Sequence, residues 1–172
     1  AFKVFAQAGL NWSDTLKATN SALLAVNTTG ASMEDSVNAL IASVEIFNFG
    51  WGQTERVIDK VMRIQAQYPA SAADLIDSIK QIGTSIKVVN GDIDDLLGMI
   101  AIITKVTRVS GTQAANALKQ FFPRLPKAEP VLAALPIPVS LKTKGEFRPL
   151  VDIMTDLSEN WKLLNNNRKQ GL

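Results

Sequence analysis

Seven aspartates stand close enough along the chain to work together: Asp74 with Asp77, Asp92 with Asp94 and Asp95, and Asp152 with Asp156. Paired carboxylates can serve as acid and base on a glycosidic bond. Nearly all of these fall in the first turn of a predicted helix. There, negative charge complements the helix dipole and satisfies free N–H groups. Capping therefore explains them without a substrate. The stretch Asn90–Asp95 begins like a calcium-binding loop, but it lacks the twelve-residue ligand spacing and the terminal bidentate acid. Gly83, Gly91 and Gly98 are not spaced as a phosphate-cradling loop. The 172 residues include no histidine and no cysteine, which removes Ser-His and Cys-His nucleophile pairs, imidazole metal sites and disulfides. The expectation is a chain that is not an enzyme, with no cofactor, no metal and no small-molecule substrate.

The elements that position these acids recur. Ser32, Ser71 and Ser110 are 39 residues apart, and each is followed three residues later by a side chain that can reach back: Asp35, Asp74 and Gln113. That is the capping-box pattern of a helix start. Shifting by 39 places Val37 on Ile76, Leu40 on Ile79, Val57 on Leu96, Ile58 on Leu97, Val61 on Ile100 and Ile64 on Ile103. Apolar matches apolar on both helices of a pair. One pair cannot cover its own apolar face, whereas stacked pairs share a continuous core.

The predicted helices follow from this. Residues 1–11 stay unassigned. A first helix runs from about Ser13 to Val26 with Leu16, Leu23 and Leu24 inward and Gly30 beyond its end. The second follows Ser32 and buries Val37, Leu40, Ile41 and Val44. After Asn48–Gly52 a third carries Val57, Ile58, Val61, Met62 and Ile64, and Tyr68-Pro69 stops it. The fourth follows Ser71 with Leu75, Ile76, Ile79, Ile82 and Ile86 on one face. Asn90-Gly91 turns the chain, and Asp92 caps a fifth with Ile93, Leu96, Leu97, Ile100 and Ile103. The sixth follows Ser110, holds Ala114, Leu118 and Phe121, and ends at Pro123.

Five of the seven prolines lie between Pro123 and Pro138, so regular helix is not expected there beyond a short turn near Val131–Leu135. Pro138–Lys142 and Gly145–Arg148 suggest a small hairpin around Thr143-Lys144. Pro149 then opens a last helix. In it Leu150, Met154, Leu157, Trp161 and Leu164 follow at intervals of four, three, four and three, a short heptad seam that reads as a contact surface. Phe47, Phe49 and Trp51 crowd one corner. They read as a plug for a helix pair, with Trp51 as an alternative anchor for a partner.

The fold class is accordingly all-α: stacked antiparallel helix pairs, as a short α-solenoid or bundle, with a proline-rich connector, a small hairpin and a C-terminal helix. The divisions are a helical-repeat core at 1–122, a basic connector at 123–148, and an amphipathic helix with its tail at 149–172. The net charge is +2, too small for a dedicated nucleic-acid binder. Residues 119–148 nonetheless carry six basic side chains against Glu129 and Glu146. Such a segment could touch an anionic partner or a DNA backbone; the favoured reading is a solvated connector without DNA contact. No segment approaches the roughly 18 apolar residues that span a bilayer. The start Ala-Phe-Lys, without an initiator Met or a signal-peptide arrangement, reads as a piece of something longer.

Three stretches carry a resemblance. They are Leu24–Asn48, containing Ala25-Val-Asn-Thr-Thr-Gly-Ala-Ser-Met-Glu-Asp35; Ser110–Lys119, a small-residue turn and helix; and Gly145–Ser158, with Trp161 behind it. Together they resemble the core region of tail tape measure proteins of long-tailed bacteriophages and prophages, over roughly residues 20–165. Gly145-Glu-Phe-Arg-Pro-Leu150 and the amphipathic helix after it are the most specific part. The connector departs from the family pattern, with Leu135-Pro-Ile-Pro138 where a glycine-containing turn is expected. The resemblance implies a virion component in the lumen of the tail tube, assembled in the bacterial cytoplasm. It also implies a part in setting tail length, self-association and contacts with other tail proteins of the tube or tip. It brings no residue-level chemical role. The alternative is a helical-repeat adaptor that binds a protein partner.

Overall fold

Short polar side chains start most of the long helices. A computed structural model of the chain describes residues 1–133, 141–143 and 146–162. Ser32 caps α3 (Met33–Phe47), accepting from the Asp35 N–H at 3.0 Å. Ser71 caps α5 (Ala72–Lys87), accepting from the Asp74 N–H at 3.1 Å. Ser110 caps α7 (Gly111–Phe121), accepting from the Gln113 N–H at 3.2 Å. Asn11 caps α2 (Trp12–Thr29) and Asp92 caps α6 (Ile93–Thr107) in the same way. A 3-10 turn at Trp51–Gln53 leads into α4 (Thr54–Gln67). Gly30, at φ +71°, ends α2 as its position predicts. Asn48 and Arg108 take the same left-handed conformation after α3 and α6.

The helices form two layers. Helices α3, α5 and α7 lie side by side in one, and α2, α4 and α6 in the other, and each helix also packs on its neighbours in sequence. This is the two-layer arrangement of stacked helix pairs. Side chains tie successive units together. The hydroxyls of Ser21 and Thr54 share a buried hydrogen bond of 2.9 Å between α2 and α4. Lys60 of α4 pairs with Asp94 of α6, and Lys80 of α5 with Asp35 of α3. Gly83 permits the close approach of α3 to α5: a Cβ there would lie 3.1 Å from Ile46 Cδ1 and 3.2 Å from the Phe47 ring. Helix α5 sits centrally, and all five of its predicted inward residues are buried.

Two predicted faces are corrected. On α2, Leu16, Leu23 and Leu24 are exposed, while Thr15, Ala18, Ser21, Ala22 and Ala25 are buried. Small side chains let α2 lie close against α3 and α4, and the Ser21–Thr54 bond satisfies the hydroxyls that this closeness buries. At the end of α7, Phe122 is buried and Phe121 faces outward. Both positions follow Leu118 by a helical interval, and the chain turns inward at the second.

The unassigned start forms α1 (Phe2–Gln7), whose buried Phe5 meets the Trp51 ring edge-on at 5.9 Å. The connector is more helical than its prolines suggest. It contains a 3-10 turn at Leu125–Ala128 and α8 (Glu129–Ala133). Pro126 and Pro130 occupy early positions in these turns, where a missing N–H costs no hydrogen bond. The remainder of the predicted Val131–Leu135 turn lies outside the described residues. Strands β1 (Lys142–Thr143) and β2 (Glu146–Phe147) pair antiparallel with Thr143 opposite Glu146, so Thr143 belongs to the first strand rather than to the predicted turn, and residues 144–145 lie outside the described residues. The first arm at Pro138–Ser140 lies outside the described residues. Pro149 precedes α9 (Leu150–Trp161) as its cap. One buried cluster runs from Phe5 through Leu125, Leu132 and Leu141 to Ile153.

Candidate interaction surface

Six of the seven aspartates are engaged by the fold. Asp92 and Asp95 form a reciprocal capping box. Asp94 pairs with Lys60, Asp77 accepts from Gln81 and pairs with Lys80, and Asp156 binds Arg148 at 2.6 Å. Asp74 does something the sequence does not announce. Its carboxylate leaves its own cap and crosses to α7, accepting from the Gly111 N–H and the Thr112 hydroxyl, each at 3.0 Å. The first acid of one unit thus caps the helix of the next. Among the described residues no group of three or more His, Cys, Asp or Glu side chains could hold a metal ion, and no helix is long and apolar enough to cross a membrane.

Lys80 bridges Asp35 at 2.8 Å and Asp77 at 3.0 Å. The Lys80 ammonium, and after it the Ser32 hydroxyl, hold the Asp35 carboxyl below its ordinary 3.8. Asp35, then Asp77, raise Lys80 above 10.5. The Asp35 share of stability is complete above its unfolded value and is lost as pH falls through the lower folded one. The Lys80 share is complete below its unfolded value and is lost as pH rises through the raised one. Both side chains are more than a third exposed, so solvent screening leaves the bridge worth about 0.5 kcal/mol. Lys80→Met should lower stability by that much at pH 7 in urea titrations. The difference should shrink in high salt and close once pH falls below the folded value of Asp35.

Outside the core, apolar surface concentrates at two ends of the stack. At one end, α6, α7 and α9 enclose a groove of about 570 Å³ floored by Met99, Ile102, Ile103, Leu118, Phe121 and Met154. Asp94 and Asp95 also line it. Burial pushes the Asp95 carboxyl up, the Asp92 N–H opposes this, and the charges of Asp92, Asp94 and Asp152 add to the rise. Gly98 also lines the groove, and a Cβ built there would meet nothing within 4 Å. A helical glycine with room for alanine gives up roughly 1 kcal/mol of helix propensity. Here its bareness deepens the groove.

At the other end Trp12, Leu16 and Leu23 form an exposed ridge on α2, with Phe2 edge-on to Trp12 at 5.2 Å. Trp12 is 71% exposed. Neither surface follows from the predicted inward stripes. One signal was present: Ile102 and Val106 lie off the inward stripe of α6, making that helix apolar beyond one face.

The seam residues separate. Leu150 is fully buried, together with Ile153, and Leu157 packs partly against the core. Met154 opens onto the groove, Trp161 is 44% exposed, and Leu164 lies outside the described residues. Trp51 is half-buried against Phe5.

A family model described as phage-related minor tail protein matches residues 1–172. No solved structure matches the chain.

Proposed function

Because the chain belongs to the phage-related minor tail protein family, a structural component of a phage tail, we propose that it is a compact docking module of a tail tape measure protein. The module works in the tail lumen during assembly, associating with its own kind and with tube or tip proteins. Its contact surfaces are the basic connector and the outer side of α9, with Met154, Leu157 and Trp161 as the apolar contacts. The observation that carries this reading is the apolar groove beside α9. The likeness of Gly145–Ser158 to the tape measure core supports the more specific identity.

A ruler converts residue number into length by extending, at about 1.5 Å per residue of helix. This segment folds back on itself instead. Among the described residues the longest helix, α2, has 18 residues and spans only about 27 Å. The proposal therefore assigns it attachment rather than measurement. In-frame deletion of the segment from the full-length gene tests this by electron microscopy of the particles. Loss of tails is the expected result. Tails shortened by roughly 260 Å, the length of the segment as one extended helix, would make it part of the ruler. Tails of normal length and number would remove it from both roles.

A further inference from the structure

Helix α9 is fastened differently from the helices of the stack. Helices α3, α5 and α7 lie against one another, and α5 buries eight of its 16 residues. Of the 12 residues of α9, Leu150 and Ile153 are the buried ones, both in its first turn. Leu157, one turn further on, packs partly against the core. Val151 and Met154 face the groove, with α6 and α7 opposite. The groove thus lies between much of α9 and the two helices beside it.

The seat of α9 is the α5–α6 turn. Asn90 holds a left-handed conformation there, at φ +54°, and its side-chain amide donates to the Phe147 carbonyl at 3.2 Å. Beside it Gly91 is bare. A Cβ at Gly91 would lie 2.5 Å from Ile86 Cγ1 and 3.2 Å from Leu150 Cδ2, so the missing side chain leaves the space that Leu150 enters. The Arg148 guanidinium binds Asp156 at 2.6 Å, which ties the approach to α9 onto the helix itself. Strand β2 pairs with β1 over two residues, a ladder too short to hold by itself. Residues 146–161 therefore form one piece, seated through Leu150, Ile153 and the Asn90 amide.

We propose that β2 and α9 act as a clip, which lifts off as one piece while the stacked helices stay folded. Fewer buried side chains hold the clip than hold α5, so lifting it costs less than unfolding the stack. A helix of 12 residues is marginal in water without packing, and a lifted α9 unravels. Opening uncovers Leu150 and Ile153 and removes one wall of the groove. Met99, Ile102 and Phe121 then lie on a wider apolar face. The clip thereby gates the contact surface. That consequence rests on the docking reading above, whereas the opening itself does not.

Native-state hydrogen exchange of the whole chain, read by mass spectrometry, tests it. The α9 amides should be protected, yet exchange well before those of α5. Leu150→Ala empties the seat beside Gly91 and should speed α9 exchange about thirtyfold or more, leaving α5 as before. Asn90→Gly keeps the left-handed turn without strain and removes the donor to Phe147. It should speed α9 exchange roughly twofold to tenfold, again without moving α5. This milder variant and the unmodified chain carry the test if Leu150→Ala does not fold.

Equal protection of α9 and α5, acceleration of both helices alike by either variant, or an α9 without protection in the unmodified chain would overturn the proposal. Those results would leave the tail role standing, since they concern the chain in solution. Normal tails after deletion of the segment would remove the tail role and leave the clip standing.

Discussion

Ile79→Asp is expected to leave the chain without a cooperative unfolding transition. Ile79 is fully buried in α5, the helix that packs against α3 and α7 in its own layer and against α4 and α6 in the other. A carboxylate there loses its hydration, and the surroundings are isoleucine and leucine. The cost of an unpaired buried charge exceeds about 4 kcal/mol, a large fraction of the roughly 5–15 kcal/mol that holds a domain together. Far-UV circular dichroism in urea should show a flat or broadly sloping trace. The same substitution at Ile102, on the outer side of α6, should cost no more than about 0.5 kcal/mol, as for an ordinary surface change. Two isoleucines on neighbouring helices thus separate core from contact surface. A sharp transition for Ile79→Asp near that of the unmodified chain would mean that α5 is not the centre of the stack.

Gly111→Ala should destabilise by about 3 kcal/mol, although alanine is the better helix former. A Cβ at Gly111 would sit 2.5 Å from the Asp74 Cβ and 3.0 Å from its Oδ2. The Asp74 Cβ is rooted in the first turn of α5 and cannot swing away. Relief requires the two helix starts to part. That breaks the charge-assisted bond from the Gly111 N–H to Asp74, which is worth about 1.5–3 kcal/mol. Thermal unfolding should record a fall of several degrees. Gly98→Ala serves as the contrast, since a Cβ there meets nothing, and it should raise stability by up to about 1 kcal/mol. If the two glycines respond alike, the Asp74–Gly111 contact does not join the units.

Much of the helical framework is legible along the chain. Ser32, Ser71, Asp92 and Ser110 mark helix starts because a cap reads only the next three residues. The α5 stripe from Leu75 to Ile86 is legible because one face alone is apolar. Helix α2 misleads for the opposite reason. Its leucines and its alanines lie on different faces, and hydrophobicity alone prefers the leucines. The buried face instead belongs to the small side chains, because two neighbouring helices must come close to it. Trp161 and Met154 share a heptad seam with Leu150 on paper, yet of the three only Leu150 is buried, its Cδ2 lying 3.2 Å from the position of a Cβ on Gly91 in the α5–α6 turn.

The amino-acid order alone determined the all-α class, the 39-residue repeat and most helix limits, since these depend on contacts within about four residues. Tertiary structure alone decided which side of α2 faces inward, that Asp74 caps the helix of the following unit 37 residues away, and that one end of the stack is hollow while the other bears a ridge. Those outcomes depend on what a side chain meets across space, and a linear pattern records which residues are greasy without recording which neighbours arrive to cover them.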